Sequence, residues 1–302
     1  MTEPPSRPEV TVLLPAYNEE ASIGETVTAI RARYPQFEVL VVDDASTDRT
    51  MAKAFEAGAH VWPHPYNMGN GAAIKTGLRC AAGDWVLMMD ADGQHDPADI
   101  GRLLAEKERY DMVVGARTAQ SETAWHRDLA NAIYNGFASY VTRFKVQDLT
   151  SGFRLVRRET ARNFLYLLPN TFSYPSTLTL AYLRSGRSLC YVPIRTRPRR
   201  GKSKIRLLED GIRFLLIITR IATLYSPFRV FMPTSLFFFC TGVLYYGYTF
   251  ITEHRFTNMS ALLLTSAVTI FMIGLVSEQI SQMRFDRTEG ECSRSQPTTV
   301  AA

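Results

Sequence analysis

Over its first 115 residues the chain alternates short apolar runs with helix-forming segments. Residues 10–15 are apolar and rich in β-branched side chains, and polar residues then lead into a helical stretch at 21–34. The strand pattern returns at 39–43, 60–62, 85–90 and 112–115, and the helical pattern at 47–57, 72–82 and 97–108. Strands that alternate with helices predict an α/β fold, with a mostly parallel, Rossmann-like sheet covered by helices on both faces. Beyond residue 115 the pattern weakens. Residues 129–144 and 159–168 read as helices, 189–194 as a strand, and 172–176 have no readable pattern.

Near the C-terminus the pattern changes in kind. Residues 230–252 and 256–277 carry no charge. Each is longer than the roughly 20 residues a helix needs to cross a bilayer. Only Glu253, His254 and Arg255 separate them, so the two spans predict a transmembrane hairpin within 229–282. Just before it, Arg206, Arg213 and Arg220 recur every seven residues among Leu, Ile and Phe. That spacing predicts an amphipathic helix at 205–228, lying on an anionic membrane surface. Residues 10–204 then form the main domain, 1–9 a Pro-rich disordered tail and 283–302 a C-terminal tail.

The mean hydropathy of −0.08 is therefore the average of two unlike parts. Basic residues gather on both outer flanks of the hairpin, with Arg229 before it and Arg284 and Arg287 after it. The linker holds a single Arg. The positive-inside bias predicts that the main domain and both termini are cytoplasmic. No apolar signal core precedes residue 10. Cys80, Cys190, Cys240 and Cys292 form no paired motif, which excludes a disulfide framework and a Cys-based zinc site.

In parallel α/β sheets ligands gather beyond the C-terminal strand ends. Here those ends are acidic. The second strand runs into Asp43 and Asp44, and the fourth into Asp90, Ala91 and Asp92. In extended chain Asp90 and Asp92 would share one side. They could hold a hard divalent cation, with substrate phosphates completing its shell. Neither GxGxxG nor GxxxxGK[ST] occurs, which excludes a dinucleotide dehydrogenase and a P-loop NTPase. The Gly-rich segment 67–71 opens a helix, and reads equally as a phosphate-approaching turn or a plain loop.

The strings LPAYNEE, VVDDASTDRT, NMGNGAAIKTG and MDADGQHDP, in this order within residues 10–115, resemble the family 2 glycosyltransferases of GT-A fold. DLTSGFRLVRRE and RPRRGKSKIRLLEDG resemble one branch of that family, the polyprenyl-phosphate glycosyltransferases. The resemblance implies roles by motif position. Pro15, Tyr17 and Glu19 line a nucleotide pocket, Asp43 contacts the base, and Asp44 lies near the ribose. Asp90, Asp92 and Gln94 form the metal and diphosphate site. Ser151 lies near the acceptor phosphate, and Arg117 and Arg127 are phosphate partners. Arg200 and Lys204 sit in a loop that closes over the diphosphate.

The function this implies is inverting, metal-dependent transfer of a hexose to a polyprenyl phosphate at the cytoplasmic membrane face. Mg2+ or Mn2+ is the cofactor, and UDP-glucose is favoured as donor over GDP-mannose or a UDP-N-acetylhexosamine. Membrane lipids are further partners, a homo-oligomer is an open possibility and no nucleic acid is expected. Six basic residues between Arg195 and Lys204 suit the several negative charges of such a donor and acceptor. The competing reading of that run is a noncatalytic, membrane-tethered binder of anionic lipid or RNA. A processive polysaccharide synthase would carry a Gln-x-x-Arg-Trp motif, which is absent.

Overall fold

The computed structural model describes residues 7–117, 125–170, 174–196 and 226–294. The chain divides into two compact units, Met1–Leu207 and Leu208–Ala302. The first opens with β1 (Val10–Ala16), α1 (Ile23–Arg33), β2 (Glu38–Asp43), α2 (Thr50–Glu56), β3 (His60–Pro63), α3 (Asn70–Cys80) and β4 (Trp85–Met88). It continues with α4 (Ile100–Leu104), β5 (Met112–Arg117), α5 (Trp125–Thr142), β6 (Arg154–Arg157), α6 (Arg158–Arg162), α7 (Tyr174–Arg184) and β7 (Leu189–Ile194).

The seven strands make one sheet of order β3-β2-β1-β4-β6-β5-β7. All pairings are parallel except those of β6, which runs antiparallel to both β4 and β5. Every residue of β1 is buried, as expected of a central strand covered on both faces. Val10, Val12 and Leu14 pack with Ile23, Val27 and Ile30 of α1 and with Leu87, Phe153 and Leu155 in the main core.

The expected mostly parallel α/β sheet is present, and several boundaries differ. β4 stops at Met88, and Asp90 already lies beyond it. The helix expected over 97–108 is a 3-10 turn (Pro97–Asp99) followed by the single short helix α4. The helix expected over 159–168 is only Arg158–Arg162. Two elements lacked a readable pattern. β6 is four residues with Arg at each end, and α7 begins inside the segment that gave no pattern.

The second unit holds α8 (Phe228–Glu253) and α9 (Asn258–Arg294). His254 takes a left-handed conformation, φ 51°, at the end of α8. The two helices pack as a hairpin. The Ser235 hydroxyl donates to the Ala267 carbonyl at 2.8 Å, and the Phe228 and Phe271 rings meet edge to face at 5.8 Å. Gly274 lets them approach, because a Cβ there would stand 2.8 Å from the Phe231 Cβ. Both helices are long and apolar enough to cross a membrane, and only 11% and 17% of their apolar windows are buried. A core helix of that composition would be mostly covered. The interfacial helix expected at 205–228 falls almost wholly outside the described residues, as does the tail at 1–6.

Candidate active site

The antiparallel course of β6 decides where the site lies. The C-terminal ends of β1, β2, β4, β5 and β7 share one sheet edge with the N-terminal end of β6. On this edge lie Tyr17 after β1, Asp43 at the end of β2, Asp90 after β4, Arg117 at the end of β5, and Ser151 just before β6. Because β6 sits between β4 and β5, its leading turn enters the edge between Asp90 and Arg117.

At the β1 and β2 ends, two loops are knitted together. The Asn18 side-chain oxygen accepts from the Thr47 N–H at 2.8 Å, and the Asn18 N–H donates to the Ser46 hydroxyl at 2.9 Å. Asn18 and Ala45 hold positive φ of 56° and 60° in these turns. Pro15 is buried within β1, Tyr17 is exposed, and the Glu19 N–H donates to the Thr50 hydroxyl at 2.8 Å. Asp43 is buried; its Oδ2 accepts from the Ser46 N–H at 3.1 Å, while its Oδ1 has no partner among the described residues.

Asp44 is engaged by the protein itself. Its Oδ1 pairs with His64 Nδ1 at 2.7 Å and accepts from the Met68 N–H at 2.8 Å, and its Oδ2 accepts from the Gly69 N–H at 2.8 Å. The Ala72 N–H donates to the Asn170 carbonyl at 2.8 Å. The amides of Met68, Gly69 and Ala72 thus have protein acceptors, and the Gly-rich segment serves as an anchored loop.

Residues 90–94 form a turn, so the extended-chain argument for Asp90 and Asp92 does not apply here. The Asp92 Oδ1 accepts from the Gln94 N–H at 3.1 Å, and the Ser22 hydroxyl donates to the Ala91 carbonyl at 2.8 Å. The Asp90 Oδ2 stands 3.7 Å from His95 Nε2, and the His95 ring stacks on Phe153 at 5.0 Å. Burial opposes ionisation of Asp90. The adjacent His95, with the charges of Arg117 and Arg154, outweighs it and holds the carboxyl below its ordinary range. Among the described residues no three His, Cys, Asp or Glu side chains close a metal cage. Two carboxylates in an open turn suit Mg2+ or Mn2+, which bind through one or two carboxylates plus phosphate oxygens and water. They do not suit a closed structural zinc site.

The third part of the edge contains residues that the motifs did not single out. Arg117 grips Asp148 with a two-pronged contact, Nε to Oδ2 at 2.8 Å and Nη2 to Oδ1 at 2.9 Å. Asp148 also accepts from the N–H groups of Thr150 at 3.2 Å and Ser151 at 3.1 Å. Burial disfavours its charge, yet the Arg117 hydrogen bonds and charge hold it below the usual carboxylate range. Ser151 is buried, and its Oγ accepts from the Phe153 N–H at 3.3 Å. Arg154 is wholly buried at the start of β6. The Asp90 carboxylate lies against Gly152, where a Cβ would stand 2.7 Å from Oδ2. Asp148 and Arg154 lie within the DLTSGFR string, but only the contacts across the fold reveal their work.

Arg127 falls on α5, with its side chain outside the described atoms. Arg200 and Lys204 lie outside the described residues altogether. The chain leading to them does reach this edge, because Thr196 forms an antiparallel bridge with His95.

Residues 11–165 match the family described as Glycosyl transferase family 2, and residues 226–283 match the GtrB C-terminal hairpin. The undecaprenyl-phosphate 4-deoxy-4-formamido-L-arabinose transferase of Proteus mirabilis is 30% identical over 185 residues, 55% of this chain and 56% of that protein. The polyprenol monophosphomannose synthase of Mycolicibacterium smegmatis is 30% identical over 204 residues, 61% of this chain and 75% of that protein. Among solved structures, glucosyl-3-phosphoglycerate synthase from Mycobacterium tuberculosis, in complex with Mn2+, uridine diphosphate and glucosyl-3-phosphoglycerate, aligns with a TM-score of 0.58. That match covers 72% of this chain and 79% of the other at 21% identity, and shows a likeness of fold.

Proposed function

The chain belongs to glycosyl transferase family 2, and from that membership we propose that it transfers a hexose from a nucleoside diphosphate sugar to a polyprenyl phosphate. The observation that carries the acceptor is the joining of two parts in one chain. A family 2 domain at 11–165 is followed by an apolar hairpin at 226–283 of the GtrB kind. Two relatives named for transfer to undecaprenyl phosphate or to polyprenol support the same acceptor. Membership in an enzyme family sets aside the reading as a noncatalytic binder.

The residues of the edge divide the work in this proposal. Asp43 presents its unpartnered Oδ1 to a ring N–H of the base, with Tyr17, Pro15 and Glu19 forming the walls around the nucleotide. Asp44 anchors the 64–69 loop and lies near the ribose. Asp90 and Asp92, beside Gln94, hold a divalent cation. When bound, that cation supplies positive charge for the leaving diphosphate. Ser151 offers its hydroxyl proton to the acceptor phosphate, since its oxygen already accepts from Phe153. Arg117, Arg127, Arg200 and Lys204 supply cationic partners for the phosphates.

The chemistry is one in-line displacement. An acceptor phosphate oxygen forms a bond to the anomeric carbon while the bond to the diphosphate oxygen breaks. The electron pair leaves with the nucleoside diphosphate, and the anomeric centre inverts. An ionised phosphate needs no base to become nucleophilic. Preorganised cationic side chains lower the barrier by meeting charge where it develops. The domain occupies residues 10–204 on the cytoplasmic side, with the interfacial helix at 205–228 and the hairpin at 229–282.

The donor is UDP-glucose in this reading, supported by the two-helix hairpin and the MDADGQH string. The test is to incubate the purified full chain with polyprenyl phosphate, Mg2+ or Mn2+, and a panel of nucleotide sugars, and to weigh the lipid product. A hexosyl lipid phosphate formed from UDP-glucose is expected. A product only from GDP-mannose or a UDP-N-acetylhexosamine overturns the donor. No glycosylated lipid from any donor overturns the acceptor.

A further inference from the structure

The least expected group near the site is the guanidinium of Arg154. It is 0% exposed. Among the described residues no carboxylate lies within ion-pair distance of it, and four of its five N–H groups are met by neutral oxygens. Its Nε and Nη2 donate to the Ser151 carbonyl at 3.0 and 2.6 Å. Its Nη1 donates to the Pro175 carbonyl at 2.8 Å and the Thr179 hydroxyl at 3.1 Å. Thr179 in turn donates to the same Pro175 carbonyl at 3.0 Å.

Burying an unpaired cation carries a large desolvation cost, and an apolar side chain of similar volume commonly packs such a place at least as stably. Packing alone therefore gives no reason for an arginine here. The contacts give one. Asp148 holds the N–H of Ser151 and Arg154 holds its carbonyl, so the backbone of this one residue is fastened from both sides. The Ser151 Oγ accepts from the Phe153 N–H at 3.3 Å, which leaves its hydroxyl proton to be directed at a ligand. The guanidinium charge also lies close enough to the Asp148 carboxylate for the two to attract.

We propose that Arg154 is a positioning residue for the acceptor: it fixes the 148–151 turn so that Ser151 and Arg117 meet the acceptor phosphate, and it lends that half of the edge a permanent positive potential. The inference rests on the reading of Ser151 as an acceptor contact. A planar fork on one carbonyl is a task for Arg and not for the point charge of Lys.

The test uses the full chain in detergent, with farnesyl phosphate as the probe. Its binding is measured with divalent ions chelated, and steady-state KM values for both substrates are measured with them present. Arg154→Lys keeps the charge and loses the fork. It should weaken farnesyl phosphate binding and raise the acceptor KM about tenfold, the size expected for losing a charge-assisted hydrogen bond, while the donor KM stays within about twofold. Thr179→Val removes one support of the guanidinium and should raise the acceptor KM about two- to fivefold with an unchanged donor KM. If Arg154→Lys fails to fold, Thr179→Val decides alone. Variants that bind farnesyl phosphate like the wild type, or that lose donor and acceptor equally, overturn the inference. Wild-type protein that does not bind farnesyl phosphate overturns the acceptor reading instead.

Discussion

Gly152→Ala isolates the contact between the Ser151 turn and Asp90. An added Cβ would lie 2.7 Å from Oδ2 and 2.9 Å from Oδ1 of Asp90. Ordinary contact requires the carboxylate to retreat by about 0.7 Å. Gly152 has no positive φ that alanine could not adopt. The obstacle is the end of a side chain, so the fold can yield. We expect a net stability change within about 1 kcal/mol, because overpacking is offset by the smaller entropy of the unfolded chain. Activity has no such freedom. Misplacing a reacting group by roughly 1 Å can cost about 100-fold, so a loss of about 10- to 100-fold in kcat/KM is expected, with a weaker apparent affinity for the divalent ion. The assay is transfer to polyprenyl phosphate across a Mn2+ titration, beside a thermal melt of the same preparation. A variant that melts like the wild type and keeps its kcat/KM and metal dependence would refute the reasoning.

Asp92→Ala should abolish turnover while leaving the protein folded and membrane-bound; near-normal transfer would sink the metal assignment. Asp148→Asn should cost about 2 kcal/mol at neutral pH by loosening the two-pronged contact with Arg117, read as a lower melting temperature. Asp148 is faced by Arg117 of β5, Arg154 of β6 and Tyr191 of β7, and its folded pKa lies below the ordinary 3.8. Its contribution is therefore complete above that value and is lost as the pH falls through the folded pKa. The wild-type melting temperature should drop more steeply than that of Asp148→Asn below about pH 4, and parallel curves would contradict this. Gly274→Leu should destabilise the hairpin by about 1–3 kcal/mol through collision with Phe231, seen as earlier unfolding in detergent; an unchanged transition would show that the helices do not pack there.

The strand ends were legible because apolar runs ending in acids obey a simple rule of parallel sheets. The hairpin was legible because two charge-free stretches separated by three residues leave few alternatives. β6 was hidden for the opposite reason. Four residues with an arginine at each end match no strand pattern, and Arg154 is inside only because three neutral oxygens from Ser151, Pro175 and Thr179 surround it. Asp148 was equally hidden, since its partner Arg117 lies 31 residues away. Two adjacent aspartates look alike in sequence, yet Asp43 leaves an oxygen without a partner among the described residues, whereas Asp44 carries His64 and two backbone amides, a difference that only the fold reveals.

The reversed strand also accounts for how opposite charges share this edge. Chain segments leaving β2 and β4 bring carboxylates, and the segment leaving β5 brings Arg117. If the strand between β4 and β5 were parallel to them, it too would contribute its C-terminal end. Because β6 is antiparallel, it contributes the turn before its first residue instead. That turn carries Asp148, Ser151 and Gly152, which touch Arg117, Arg154 and Asp90 respectively. The turn thus meets each half through a different contact. An added Cβ at Gly152 presses on Asp90, whereas the Arg154 fork holds the Ser151 carbonyl, so the first substitution is expected to move chiefly the metal response and the second chiefly the acceptor response.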